Sequence, residues 1–343
     1  MTKLLKPDDF ATDQDVRWCP GCGDYAILKA VQKALAELNA DKDKTVFISG
    51  IGCSSRFPYY MATYGFHTIH GRAPAVATGL KLQNPDLDVW VVTGDGDGLS
   101  IGGNHLYHAL RRNVDLQILL FNNEIYGLTK GQYSPTSRKG IVTPSTPQGS
   151  LDHSVSPCRF AAGAGATFIA RAIDVDQSAL VNVLKRARGH KGTSFVEILQ
   201  NCPVFNDGAF ESLTSKKTML ENQLALRHGE PMVYGINRDK ALKFDPVTFQ
   251  LEIVELRGAL PEEAGVLVHD ETNASLASLL VSLPRDTFPT PVGVIYKQST
   301  ETFDCAAAER ARGGPNQSLA RRGGVELTIV DALLRKGHVW SAR

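Results

Sequence analysis

The sequence carries almost no excess of charge of either sign. Its 343 residues include 37 Lys plus Arg and 36 Asp plus Glu, for a formal net charge of +1 at pH 7. Proteins that bind nucleic acid through its phosphates concentrate basic residues in a patch or stripe. The composition therefore argues against a basic nucleic-acid-binding domain, and we expect no DNA or RNA partner.

Long apolar runs are also absent from the sequence. None approaches the roughly 20 residues that a membrane-spanning helix needs, so no membrane partner is expected. The first residues, MTKLLKPDDFATDQDVRW, lack the basic and then apolar layout of a secretory signal peptide. Six cysteines without such a signal indicate the reducing cytoplasm, where thiols serve as metal ligands or remain free. We therefore expect a cytoplasmic protein.

One β-α-β unit organises the chain. The apolar run Asp88–Thr93 predicts a buried strand that ends at the glycine-rich turn Gly94–Gly98. A helical pattern follows over Gly103–Arg112, and Leu116–Phe121 predicts a second strand, which ends in Asn122–Ile125. Because such crossovers are right-handed and join parallel strands, the turn and the Asn-Asn pair are expected at the same carboxyl edge of the sheet.

This edge has the composition of a cation and phosphate site. Asp95 and Asn123 could direct oxygen atoms at Mg²⁺, with the Ile125 carbonyl as a third ligand. The glycines would let the backbone approach a pyrophosphate closely. An EF-hand loop would need an oxygen ligand where Leu99 stands. A nicotinamide fingerprint would need G-x-G-x-x-G, and Asp95 and Asp97 would repel a pyrophosphate that arrives without a metal.

Four of the six cysteines stand where chemistry is expected. Cys19 and Cys22 form a C-x-x-C pair before a predicted helix, and Cys53 and Cys202 each follow a predicted strand. The pair alone is compatible with a thioredoxin-like redox motif, although no strand precedes it. The four thiols together are compatible with zinc or with a [4Fe–4S] cluster, and spacing does not separate these two. The other two cysteines are expected to be buried, unreactive thiols: Cys158 and Cys305.

The order GDG and then NN after the next strand resembles the thiamine diphosphate and Mg²⁺ signature of thiamine-dependent enzymes. The continuation NNEIYGLTKGQYSPTS resembles the β subunits of 2-oxoacid:ferredoxin oxidoreductases, and among them the 2-oxoglutarate branch. The resemblance implies an α/β fold with a doubly wound, mostly parallel sheet of the thiamine diphosphate-binding type and a C-terminal extension. It implies that Mg²⁺ is held by Asp95, Asn123 and the Ile125 carbonyl. The residues implied to contact the thiamine cofactor are Ile51, Gly52, Cys53, Ser54, His70, Gly94, Asp95, Gly96, Asp97, Asn123, Gly127, Leu128 and Thr129.

The motifs CPGCG, GIGCSS and QNCP also match this family. By that resemblance, Cys19, Cys22, Cys53 and Cys202 are the ligands of a [4Fe–4S] cluster. The cluster would then lie close to the thiamine cofactor, because the turn that holds Cys53 is implied to touch both.

The resemblance implies a reaction as well. It is the reversible oxidative decarboxylation of 2-oxoglutarate with coenzyme A to succinyl-CoA and CO₂, with electrons passed to ferredoxin. Arg56 and Leu128 are the residues implied in substrate selection, since a guanidinium can bind the distal carboxylate that pyruvate lacks. Three alternatives stay open: a pyruvate or broad 2-oxoacid enzyme of this family, a non-redox thiamine-dependent enzyme with structural zinc, and a non-catalytic metal-binding protein.

One expected catalytic group has no counterpart in the sequence. Thiamine enzymes need a carboxylate that activates the cofactor, and no glutamate stands in a fitting motif. Glu124 lies in the metal loop, at the wrong end of the cofactor. In the family this glutamate comes from a separate α subunit. We therefore predict that the chain is inactive alone and works in an α/β complex, as α2β2.

Three segments are predicted along the chain: a leader over residues 1–16, the cofactor-binding α/β domain over 17–210, and an extension over 211–343. The extension carries no chemical motif and is expected to pack on the core or on a partner. Within it we predict a polar helix over 212–230 and strands over Asp245–Leu256 and Val266–His269. Ser134–Asp152, rich in Ser, Thr, Pro and Gly, predicts a long irregular loop.

Overall fold

An eight-stranded sheet forms the centre of the protein, in a computed structural model that describes residues 4–313. The strands in chain order are β1 (Thr45–Ser49), β2 (Tyr64–His67), β3 (Asp88–Gly94), β4 (Gln117–Asn122), β5 (Phe168–Ile173), β6 (Ser194–Leu199), β7 (Gln223–Ala225), β8 (Val233–Tyr234), β9 (Lys240–Asp245), β10 (Gln250–Glu255) and β11 (Thr290–Lys297). Their spatial order in the large sheet is β2-β1-β3-β4-β6-β5-β11-β7. The strands β10, β9 and β8 form a separate antiparallel sheet.

The large sheet is parallel except where β11 pairs with β5. Every residue of β1, β4, β5 and β6 is buried. Parallel strands covered on both faces have this near-continuous apolar character.

Helices cover both faces of the sheet. They are α1 (Asp24–Glu37), α2 (Ala73–Gln83), α3 (Asp95–Leu99), α4 (Gly103–Arg112), α5 (Pro157–Gly163), α6 (Gln177–Arg188), α7 (Glu211–Thr214), α8 (Met219–Asn222), α9 (Ala274–Val281) and α10 (Phe303–Gly313). Val91 and Ile118 pack in one core with α2, α4, α5 and α9. Their strand neighbours Trp90 and Leu119 pack in the other core with α1 and α6. This alternation confirms the predicted doubly wound α/β fold.

The register brings four strand ends to one edge. Ser49 lies opposite Val92, Gly94 opposite Phe121, and Asn122 opposite Leu199. The loops after β1, β3, β4 and β6 therefore begin side by side at the carboxyl edge. This edge is where ligands bind in open parallel sheets.

Local structure differs from the sequence prediction at several points. The glycine-rich stretch after β3 forms the short helix α3 and not a turn. Residues 212–230 do not form one helix, because Ser215 leaves the helical conformation and Leu224 joins the sheet opposite Pro291. The segment predicted as one strand over Asp245–Leu256 is a turn followed by β10. Val266–His269 makes only isolated bridges.

The predicted C-terminal extension contributes β7 and β11 to the central sheet. The boundaries at residues 16 and 210 stay predictions, and residues 314–343 of the extension lie outside the described residues. The loop over Ser134–Asp152 is irregular, as expected. In the part of the chain that the structure describes, no helix is long and apolar enough to cross a membrane.

The amino edge of the sheet is tied together by one side chain. Asn113 ends α4 in the left-handed conformation, with φ 52° and ψ 47°. Its Oδ1 accepts hydrogen bonds from Thr167 Oγ1 at 2.6 Å and from Thr193 N at 3.0 Å. Its Nδ2 donates to Thr300 Oγ1 at 2.9 Å. One residue thus joins α4, β5, β6 and the segment before α10.

We expect Asn113→Ala to lower the free energy of unfolding by about 2–4 kcal/mol, since alanine resists φ above zero and buried partners lose hydrogen bonds. Urea denaturation measures this. Asn104→Ala, on the exposed side of the same helix, is the matched control and should change stability by less than about 0.5 kcal/mol. Equal stability of both variants would contradict this role for Asn113.

Candidate functional site

The loops at the carboxyl edge enclose a cavity of about 120 Å³, here called the cofactor cavity. All thirteen residues that the sequence resemblance assigned to the thiamine cofactor line it. Its remaining lining residues are Phe121, Ile125, Tyr126 and Gln200. The structure therefore brings together residues from position 51 to position 129 that the sequence could only place on separate loops.

Asp97 connects the loops around this cavity through its hydrogen bonds. The residue is 2% exposed, and its Oδ1 accepts hydrogen bonds from Gly71 N, Ile51 N and His70 Nδ1. Its Oδ2 accepts from Thr93 Oγ1 at 2.6 Å. Donors of the protein itself therefore engage the carboxylate on both oxygens, and this fixes the orientation of the His70 ring in the cavity.

Asp95 is oriented by two hydroxyl groups. Its Oδ2 accepts hydrogen bonds from Ser134 Oγ at 2.5 Å and from Thr136 Oγ1 at 2.6 Å. Burial raises the pKa of Asp95 to about 6, against the opposing effect of these hydrogen bonds. A buried carboxylate of this kind gains much from a bound cation, because the cation offsets the cost of desolvating the charge.

The loop after β4 places two more residues with candidate oxygen ligands at the same cavity. Asn123 Oδ1 accepts a hydrogen bond from Ile125 N at 3.1 Å, so the turn closes on itself. Asn123 and Ile125 both line the cofactor cavity and are 9% and 3% exposed. One carboxylate, one amide and one backbone carbonyl form a donor set that fits Mg²⁺ when phosphate oxygens complete the coordination.

A second cavity, of about 240 Å³, adjoins the first and is here called the cysteine cavity. Cys19, Cys22, Cys53 and Cys202 all line it. The two cavities share four lining residues, which are Cys53, Asn123, Gly127 and Leu128. The shared wall puts the four thiols beside the cofactor cavity.

Glycine is needed for space at position 96 of the cofactor cavity. A Cβ on Gly96 would lie 2.2 Å from the Tyr126 ring. The backbone can therefore approach this ring closely. In the shared wall, a Cβ on Gly127 would lie 3.5 Å from Cys53 Sγ and 3.6 Å from Cys202 Sγ, which is ordinary van der Waals contact.

Comparison with known proteins agrees with this geometry. Residues 50–198 match the family described as thiamine pyrophosphate enzyme, C-terminal TPP binding domain. The chain is 52% identical over 314 residues to the 2-oxoglutarate oxidoreductase subunit KorB of Mycobacterium tuberculosis, covering 91% of this chain and 83% of that one. It is 47% identical over 329 residues to the 2-oxoacid:ferredoxin oxidoreductase subunit beta of Saccharolobus solfataricus, covering 94% and 96%.

This chain belongs to the β subunits of the 2-oxoacid:ferredoxin oxidoreductases. It is thus a subunit of an oxidoreductase. Its fold is similar to a solved structure described as 2-oxoglutarate:ferredoxin oxidoreductase from Magnetococcus marinus with 2-oxoglutarate, coenzyme A and succinyl-CoA bound. That match has a TM-score of 0.72 and 36% identity, and it covers 93% of this chain and 96% of the other.

Two thiols of the cysteine cavity, those of Cys22 and Cys53, are poor acids without a bound metal. Burial raises the pKa of Cys53 to about 12, and nearby negative charge, first that of Asp24, adds to the effect. Burial also raises the pKa of Cys22, again with Asp24 adding to it. Because thiolates are the metal ligands, binding iron or zinc here would release protons.

Arg56 lies in the cysteine cavity and is not among the residues that line the cofactor cavity. Its Nη1 donates to the Arg17 carbonyl at 2.7 Å. Arg17 and Lys130 line the same cavity. These three basic residues line the same cavity as the four thiols, whereas Leu128, which is 46% exposed, lines both cavities.

The two remaining cysteines differ from each other. Cys158 is fully buried and its thiol donates to Glu197 Oε2 at 3.1 Å, in a cluster with Arg171. Cys305 is exposed, so the prediction that it is buried is wrong. It lies on α10.

Several residues of the site were missed by sequence reasoning. Ser134 and Thr136 contact Asp95 from a loop that carried no periodic pattern. Trp18 donates from Nε1 to the Cys53 carbonyl at 2.7 Å, and Asn206 Nδ2 donates to the Asn123 carbonyl at 2.9 Å. The only signal for the two hydroxyls was the SPTS run itself, and none existed for the long-range contacts.

A substitution at Gly50 tests whether Asp97 organises the cofactor cavity. A Cβ there would lie 1.9 Å from Asp97 Oδ2. Gly50→Ala should therefore displace Asp97, lower the free energy of unfolding by about 2 kcal/mol, and weaken binding of thiamine diphosphate. Calorimetric titration and urea denaturation measure both effects.

Gly79→Ala is the control, because nothing lies within 4 Å of its Cβ position in α2. It should stabilise the protein by about 0.5–1 kcal/mol and leave cofactor affinity unchanged. If Gly50→Ala bound the cofactor like the wild type, Asp97 would not organise the cavity.

Proposed function

We propose that this β subunit belongs to a 2-oxoglutarate:ferredoxin oxidoreductase. The enzyme converts 2-oxoglutarate and coenzyme A to succinyl-CoA and CO₂, reversibly, with ferredoxin as electron partner. One observation carries the proposal: the cofactor cavity and the cavity of four cysteines share a wall at Cys53 and Gly127. Decarboxylation and electron removal can thus occur at adjoining sites.

The donors that line the cofactor cavity fit Mg²⁺ and the diphosphate end of thiamine diphosphate. Asp95, Asn123 and the Ile125 carbonyl would hold the metal, and α3 presents its N-terminus at the same place. When bound, thiamine diphosphate supplies the electron-accepting ring that decarboxylation of a 2-oxoacid needs. The protein's part is to fix the carboxylate of Asp95 through Ser134 and Thr136 and the ring of His70 through Asp97.

The cysteine cavity fits a [4Fe–4S] cluster better than zinc. A single zinc ion needs its sulfur ligands about 2.3 Å away, and across residues 4–313 no three Cys, His, Asp or Glu side chains are grouped to hold one ion. Four thiols around a cavity of about 240 Å³ suit a larger group. When present, such a cluster supplies a one-electron carrier, and Arg17, Arg56 and Lys130 offset its negative charge.

We assign substrate selection to Arg56 and Leu128. Leu128 lies in the wall that the two cavities share, and Arg56 lines the cysteine cavity. Support comes from relatives whose names specify 2-oxoglutarate, in Mycobacterium tuberculosis and in the Magnetococcus marinus structure. The Saccharolobus solfataricus relative is named for 2-oxoacids in general. A broad or pyruvate-using enzyme is the alternative.

A partner subunit is needed to complete the site. Asp95 and Asp97 are the carboxylates that line the cofactor cavity. The first is proposed for the metal and the second is engaged by protein donors. Glu124 lines other cavities. The activating glutamate would therefore come from an α subunit, in an α2β2 assembly. We place this assembly in the cytoplasm, where cysteine thiols stay reduced.

The direct test is turnover by the complex purified without oxygen together with its α subunit. We expect ferredoxin reduction with 2-oxoglutarate and coenzyme A, and little with pyruvate. Arg56→Met should raise KM for 2-oxoglutarate about 10- to 100-fold, the cost of a lost charged hydrogen bond. Arg17→Met, in the same cavity, is the control and should change KM little. Preference for pyruvate would contradict the substrate assignment.

The cluster has its own test. Cys202→Ser should reduce bound iron well below the about four atoms per chain of a complete cluster and remove the brown colour. Cys305→Ser, an exposed thiol outside the cysteine cavity, should keep both. Zinc in place of iron in the wild-type complex would support the non-redox alternative instead.

A further inference from the structure

Glu124 stands between the two loop ligands proposed for Mg²⁺ and is held in a strained conformation. Its φ is +56°, in the left-handed region that residues other than glycine, asparagine and aspartate rarely adopt. Its side chain is 4% exposed. A buried charge on a strained residue persists only when its surroundings hold it there.

The backbone of this turn is held by side chains on three sides. Glu124 N donates to Asn122 Oδ1 at 3.2 Å, and its carbonyl accepts from Ser137 Oγ. The carbonyl of Asn123 accepts from Asn206 Nδ2. These contacts fix the main chain, but they leave the carboxylate of Glu124 to be balanced by something else.

Arg285 is the closer cation. Its Nη1 lies 2.5 Å from Glu124 Oε1, whereas Arg138 Nε lies 3.8 Å from Oε2 with a side chain that is 64% exposed. Arg285 is itself held in place, because its guanidinium lies over the Phe210 ring at 5.0 Å from the ring centre. A partly desolvated ion pair with a fixed partner is stronger than a pair formed by a mobile surface side chain.

Arg285 comes from a distant part of the chain. It lies in the loop between α9 and β11, outside residues 50–198 that match the thiamine pyrophosphate family. It lines a cavity with Glu124, Arg138 and Arg159 but does not line the cofactor cavity. Its ion pair with Glu124 is a direct contact with the loop proposed to hold the metal.

We propose that Arg285 is a positioning residue for the Mg²⁺ site, which acts through its ion pair with Glu124 to hold the strained turn. This strained turn then directs the Asn123 amide and the Ile125 carbonyl into the cofactor cavity. This inference rests on the proposed Mg²⁺ and thiamine diphosphate site. It gives the C-terminal part of the chain a role in metal affinity.

The test uses the complete complex with its α subunit, freed of Mg²⁺ and thiamine diphosphate by a chelator without oxygen. Mg²⁺ is then titrated at saturating thiamine diphosphate by calorimetry. Arg285→Met should raise the apparent Kd for Mg²⁺ about 10-fold, the lower end of the cost of losing an outer partner of a metal ligand, because Arg285 contacts the turn and not a ligand itself. Iron content and subunit composition should stay at wild-type values.

Three further variants separate positioning from general damage. Arg285→Lys keeps the charge and should restore part of the affinity. Glu124→Gln combined with Arg285→Met removes both charges and should bind Mg²⁺ more tightly than Arg285→Met alone, because no buried carboxylate is left unpaired. Arg159→Met is the control: it removes an exposed cation from the same cavity and should bind Mg²⁺ like the wild type.

Wild-type Mg²⁺ affinity in Arg285→Met would overturn the inference. If that variant does not assemble, Arg285→Gln removes the charge with a side chain that stays polar, and it should show the same weakening; wild-type affinity there would also overturn it. A wild-type complex that binds no Mg²⁺ with thiamine diphosphate would instead contradict the proposed function. The two failures are thus distinguishable.

Discussion

Four parallel strands of the central sheet, β1, β3, β4 and β6, end in register at one edge, and every feature of the site depends on that alignment. It places Gly50, Asp95, Asn123 and Gln200 at the starts of neighbouring loops. Backbone groups at strand ends have no further ladder partners, so the loops must satisfy them with side chains or ligands. The result is a rim of buried polar groups at one end of an otherwise apolar sheet.

The buried ionisable groups at this edge favour the binding of cations. Asp95 and the thiols of Cys22 and Cys53 all have pKa values raised by burial. Each ionised form is unfavourable until a positive group arrives. Mg²⁺ beside Asp95 and iron beside the thiols would provide it, and the shared wall at Gly127 keeps the two positions close. The same electrostatic need explains why Glu124 is paired with Arg285.

Local patterns were enough to predict the elements that create this edge. The strands after which Asp95 and Asn123 stand and the helix after the C-x-x-C pair follow from short-range periodicity and turn residues, whereas the doubly wound sheet was implied by the family resemblance. The family motifs then grouped residues that the structure places around two adjoining cavities. Contacts across long sequence separations were not predictable, and Arg285 with Glu124, or Thr136 with Asp95, are of this kind. The polar segment over 212–230 was mispredicted because pairing of Leu224 with the sheet overrides local helical propensity.

The measurement that tests the account most directly is electron paramagnetic resonance of the intact complex, purified without oxygen and supplied with Mg²⁺ and thiamine diphosphate. Spectra are compared before and after addition of 2-oxoglutarate, with pyruvate as the matched addition. The account predicts a radical or reduced-cluster signal that appears with 2-oxoglutarate and not with pyruvate. A complex that contains no iron and gives no signal with either acid would contradict it.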